Sequence, residues 1–231
     1  MYPPNSALRD NLTTAHARSW QAIGQPGDFL TAKQRVEIVR IAREAMDCHL
    51  CADRKAALSP LGVSGEHHCT SDLFDPIIVD FIHRVRTDPG RITHSLFETV
   101  TSVWSKEEYV EAVAVLNSSV IIDTLHNAVG LGWPGLPLPA PGQPTRVNNA
   151  QVIDDGAWIP ILDVGPNETG ETGLPQVPNI ARALGLVPSA LDLFFTTFRP
   201  HYALKDIPLS ISQAQAEFVA SRVSAMNECF Y

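Results

Sequence analysis

The stretch from Ser105 to Val129 constrains the fold of this chain more than any other. It opens with Ser105-Lys106-Glu107-Glu108, the pattern of a capping box, in which a serine hydroxyl and a glutamate three residues on satisfy the first free amides of a helix. Its body, Tyr109 to Asp123, is apolar around almost the whole circumference. A helix with no polar face must be buried, so other helices have to surround it. Valine and isoleucine also favour strands, but the length and the cap favour helix. The spacing predicts further helices over 31–58, from Pro76 (capped by Asp75), over 93–103, 179–186 and 188–197, and from Ser210 or Ser212 onward. After the central helix, residues 132–144 carry five prolines and can be neither helix nor central strand. They begin an extended Pro/Gly-rich strap over 132–178, lying on the surface or on a neighbouring subunit, with Trp133 and Trp158 as its anchors. The expected class is all-α, with residues 1–231 forming one helical domain.

Composition narrows the function. The net charge is −8 and no basic patch is present, which argues against nucleic acid as a partner. No apolar run approaches the ~20 residues of a membrane span. The first ten residues lack the apolar core of a secretory signal, so a cytoplasmic protein is expected. Thiols there stay reduced, and the four cysteines (Cys48, Cys51, Cys69 and Cys229) are reactive, metal-binding or buried rather than a disulfide framework.

Cys48-His49-Leu50-Cys51 lies inside the charged run Thr31–Leu58. Two thiols at this spacing can close a small disulfide ring with little backbone movement, which suits reversible redox chemistry. On an unbroken helix, Glu37, Glu44, Cys48, Cys51 and Lys55 share a stripe roughly 60° wide, placing acids, thiols and a cation together. A break at Asp47 is the alternative. Asp47 would then cap a new helix whose first turn holds the pair, where a thiol ionises more readily. Inert packing of two small residues is the plainer reading. A metal reading adds His67-His68-Cys69, but adjacent residues point in different directions and no second Cys-x-x-Cys exists. The expectation is therefore no metal and no cofactor. His67 and His68 read as a polar loop, with a base for Cys51 as a second role, and His83 and His94 read as surface residues.

The segment Gln213 to Tyr231 resembles the signature of the alkylhydroperoxidase D and carboxymuconolactone decarboxylase superfamily: a Glu, eleven residues, Cys-x-x-Cys, then a His four positions later. The Tyr109–Gly130 helix followed by a Leu-Pro-x-Pro strap is similar to the peroxidase-related members. In the C-terminal copy Glu217 and Cys229 match, while the second Cys and the His have no counterpart, so this copy is expected not to run a two-thiol cycle alone. In the N-terminal copy Cys48 and Cys51 match, Glu37 sits one residue closer and Lys55 stands in place of the His.

The resemblance implies an all-α fold that assembles into dimers, trimers or hexamers, and a thiol peroxidase activity. Cys51 would attack a hydroperoxide and Cys48 would resolve the sulfenic acid, with Glu37 or Glu44 relaying a proton and Lys55 or His49 stabilising the thiolate. The implied partners are a hydroperoxide substrate and a dithiol or small-thiol reductant. Two other readings stand beside it: a non-catalytic oligomeric helical protein that has lost the family's site, and decarboxylase-like chemistry without thiols. Glu111, Asp123 and His126 on the central helix form a possible second site with Glu217 and Cys229, or else a structural network.

Overall fold

The computed structural model describes all residues except 5, 148, 167, 169–175, 203–208 and 227–231. Among the described residues the regular structure is helical, apart from one two-stranded ladder. The helices are α1 (Asp10–Ile23), α2 (Ala32–Glu44), α3 (His49–Ala56), α4 (Pro76–Thr87), α5 (His94–Thr101), α6 (Lys106–Ala128), α7 (Asn179–Leu184), α8 (Pro188–Phe198) and α9 (Gln213–Met226). Strands β1 (Val152–Ile153) and β2 (Ile161–Leu162) pair antiparallel within the Pro/Gly-rich region, where no strand is expected from its sequence.

Local signals set most helix starts. Thr31 and Gln34 form one capping box, and Ser105 and Glu108 form the other. The Asp75 carboxylate accepts from the Ile77 amide, and Pro76 fills the first helical position, where its missing N–H costs nothing. Helix α6, about 35 Å long, packs against α1, α2, α4, α5, α7 and α8. Val110, Ala114, Val115, Leu116 and Ile122 are all buried, as a helix apolar on every side requires. One apolar core joins α2, α4 and α6 through Ile38, Ile41, Ile78, Phe81, Ile82, Val115 and Ile122. A second lies between α6 and α7–α8 around Phe29, Val110, Leu184 and Phe194.

The strap is fastened to α1 and α2. Trp20 donates its indole N–H to Gly135 (3.0 Å), and the Ala140 amide donates to Gly24 (2.8 Å). Arg43 donates to Pro134 (2.8 Å) while its guanidinium lies over the Trp20 and Trp133 rings. Trp158 packs on His94 and Phe97 of α5.

The long run from Thr31 is broken. After α2, Ala45–Asp47 form a single 3-10 turn and Cys48 stands extended (φ −81°, ψ 116°) as the residue that starts α3. The unbroken stripe of Glu37, Glu44, Cys48, Cys51 and Lys55 is therefore not formed. The break falls one residue after Asp47, and no side chain caps it.

Candidate functional site

The break turns α3 so that Cys48 and Cys51 face inward, into a small apolar patch with Leu50 and Val63. Both thiols are buried and free. Two histidines meet them from other elements. His67, in the loop before α4, presents Nδ1 at 3.4 Å from Cys48 Sγ and 3.8 Å from Cys51 Sγ. His83, on α4, presents Nδ1 at 3.2 Å from Cys51 Sγ. One donor atom from each of these four residues lies within 4.8 Å of the others.

Each imidazole is also held from behind. His67 donates Nε2–H to the Asp80 carboxylate (2.8 Å), which is itself fixed by Arg54 and Arg84. His83 Nε2 lies 2.9 Å from Cys69 Sγ. The two rings pack with centroids 3.9 Å apart.

The electrostatics follow from these contacts. Burial opposes ionisation of Cys48, but hydrogen bonds from His67, the Cys51 backbone and His68 outweigh it and bring the thiol down to about 6. For His67, burial works against the charged form. Asp80 and the two thiols overcome that and raise it to about 10. Burial, with His67 and His68 nearby, pushes His83 down to about 3, so it stays neutral. Burial and Glu44 push the Cys69 thiol up to about 11. In the metal-free protein the centre therefore holds a thiolate–imidazolium pair, backed by a carboxylate and flanked by a neutral base.

Two cavities flank the centre. One of about 300 Å³ borders Cys48, Cys51, Lys55, Arg86 and Thr87. Another, of about 560 Å³, borders His67, Cys69, Phe74 and Asp80. Small molecules thus have room on both sides of the thiols.

The acidic residues expected beside the thiols stand elsewhere. Glu37 pairs with Arg40 and accepts from Ser71, and Glu44 pairs with the same Arg40. Glu44 also reaches Cys69, so it connects to the centre through Cys69 and His83. His49 is exposed on the outer side of α3, and Lys55 is exposed at the rim of the smaller cavity.

His83 is fully buried, contrary to the surface position its sequence context predicts. It lies four residues after buried Val79, on the same row of α4, and that row was the signal that could have found it. His94 is exposed, as expected. Asp80 and Arg54, which hold His67, carry no local sequence signal for that role.

The second group of residues does not converge. Glu111 and Asp123 are about 18 Å apart along α6 and have separate partners. Glu111 binds Arg35 (3.0 Å) and accepts from the Phe29 and Leu30 amides. Asp123 makes a two-pronged pair with Arg43 (2.9 and 2.8 Å). His126 donates to the Ile122 carbonyl and stacks on Tyr2. Glu217 accepts from Tyr202. Cys229 lies outside the described residues.

Among the described residues no helix is long and apolar enough to cross a membrane. Comparison of the chain with protein-family models, with curated proteins and with solved structures gives no match, so the reading of the centre rests on its geometry.

Proposed function

We propose that the chain is a thiol-dependent hydroperoxide reductase of the alkylhydroperoxidase D type, working through Cys48 and Cys51. One observation carries the reading: two buried thiols one helical turn apart share a single imidazole, at 3.4 and 3.8 Å, beside a cavity of about 300 Å³. The helix break that makes Cys48 the residue starting α3 supports it, because a thiol at a helix N-terminus ionises more readily.

Cys51 lies against two imidazoles, and the neutral His83 Nδ1 at 3.2 Å can take its proton as it attacks. That suits it to be the first nucleophile, while the Cys48 thiolate resolves. The Cys51 sulfur attacks the distal oxygen of a hydroperoxide, and an S–O bond forms as the O–O bond breaks. His67, charged and braced by Asp80, protonates the departing alkoxide. Cys48 then attacks the sulfenic sulfur, the S–S bond forms as the S–O bond breaks, and the hydroxide takes the proton held on His83 and leaves as water. The balance is two thiols and one hydroperoxide giving one disulfide, one alcohol and one water. A dithiol or small-thiol reductant restores the pair. The reading includes a reducing, cytoplasmic compartment and a homo-oligomeric assembly.

The test uses the Cys48→Ser variant, reduced, chelator-treated and mixed with cumene hydroperoxide in the presence of a sulfenic-acid trap. Peptide mapping should find the trap on Cys51. An unlabelled protein, with Cys51 still a free thiol, refutes the proposal.

A further inference from the structure

The same four residues have a second property that thiol chemistry alone does not require. Their donor atoms converge on one point from three separate elements, in the order Cys-x2-Cys-x15-His-x15-His. Tetrahedral zinc with two thiolates and two imidazoles has bonds of about 2.3 and 2.05 Å, so its S···N edges are about 3.6 Å. Three of the four S···N edges here are 3.4, 3.8 and 3.2 Å, and all four donor atoms lie within 4.8 Å of one another. Both histidines turn Nδ1 inward and have Nε2 engaged outside, His67 on Asp80 and His83 on Cys69. A carboxylate behind a histidine is the arrangement that fixes ring orientation and raises basicity in metal centres. Arg54 and Arg84 in turn hold that carboxylate in place.

We propose that reduced Cys48 and Cys51, with His67 and His83, form a tetrahedral zinc site. The charge balances: two thiolates and two neutral imidazoles offset one divalent cation. Two sulfurs and two imidazole nitrogens in a tetrahedron select zinc over the oxygen-seeking cations. Asp80 is a positioning residue, acting on the metal only through His67.

Zinc binding stands independently of the peroxidase reading, and its bearing on that chemistry rests on it. With zinc bound, each sulfur shares one lone pair with the metal and is a weaker nucleophile than the free thiolate. Oxidation of the pair by one hydroperoxide, with two protons taken from solvent, breaks the O–O bond, forms the S–S bond and releases one alcohol, one water and the ion. The metal then protects the thiols until oxidant consumes them.

The experiment titrates reduced full-length protein anaerobically with cobalt(II), then with zinc(II). X-ray absorption of the zinc-loaded wild type follows. The expected result is one cobalt per chain with the intense visible bands of a tetrahedral site and thiolate charge-transfer absorption, both lost as zinc displaces it. The zinc shell should hold two sulfurs at about 2.3 Å and two nitrogens at about 2.0 Å. Asp80→Asn, checked for folding by circular dichroism, should weaken zinc roughly 10–100-fold. Six-coordinate cobalt, an oxygen-only zinc shell or absence of binding overturns the proposal, and none of these bears on thiol oxidation in metal-free protein. Zinc bound with the expected shell but thiols inert to hydroperoxide keeps the site and removes the peroxidase reading.

Discussion

Replacing Glu111 by glutamine should be among the most damaging single changes to this protein's stability. Glu111 is completely buried, and so is its partner Arg35, whose Nε has no hydrogen-bond partner. The guanidinium therefore depends on one carboxylate oxygen 3.0 Å away, with Asp28 as a more distant second charge. At an effective dielectric of about 20 that attraction is about 5 kcal/mol before desolvation is counted. Glutamine keeps the shape and can still accept from the Phe29 and Leu30 amides, so the loss falls on the charge pair. Breaking a buried pair by removing one partner costs about 3–5 kcal/mol, because the other charge is left uncompensated. Asp28 places the expectation at the lower end, about 3 kcal/mol. Urea unfolding at pH 7 measures it directly. The double variant Glu111→Leu/Arg35→Met, which buries no charge, should lose less than Glu111→Gln alone. A loss below about 1 kcal/mol for Glu111→Gln, or a double variant that is worse, would refute the reasoning.

Three further outcomes follow from other contacts. A Cβ on Gly27 would stand 1.7 Å from Glu111 Oε1 and 2.1 Å from Arg35 Nη1, so Gly27→Ala should displace the same pair and cost about 2 kcal/mol or more in urea unfolding. His16 is held down at about 3, chiefly by burial and then by His201 and His126. Its neutral form belongs to the folded state, so its contribution is complete above about pH 6.5 and is lost as pH falls toward 3. It should remove about 2 kcal/mol between pH 7 and pH 5, and His16→Gln should flatten the measured slope by that amount. Arg43→Ala should free the strap, seen as a red shift of tryptophan emission. It also leaves Asp123 buried without its partner, costing about 3 kcal/mol.

What the sequence revealed and what it hid divide along physical lines. Caps are local, so Ser105 with Glu108 and Asp75 with Pro76 could be read directly, and the helices begin where they point. The apolar circumference of Tyr109–Asp123 announced a central helix for the same reason. The break before Cys48 has no local cause: Ala45-Met46-Asp47 contains neither glycine nor proline. It accompanies the burial of Ala45, Cys48, Leu50 and Cys51, with the 3-10 turn and α3 both packed against α4. The thiol pair was legible from its spacing, and His67 only as a secondary role. His83 looked like a surface residue because a polar side chain on an amphipathic helix is usually outside, yet α3 covers that side of α4. The Asp80 contacts join residues 13 and 26 positions away, and such pairings leave no trace in spacing.

The most direct test of the thiol centre is a thiol count. Reduced, chelator-treated wild-type protein is mixed with one equivalent of an organic hydroperoxide and followed by intact mass and peptide mapping. Loss of two thiols per hydroperoxide, much faster than for free cysteine and confined to a Cys48–Cys51 disulfide, is the predicted result. Thiols that remain free, or a disulfide drawn from other cysteines, would contradict it.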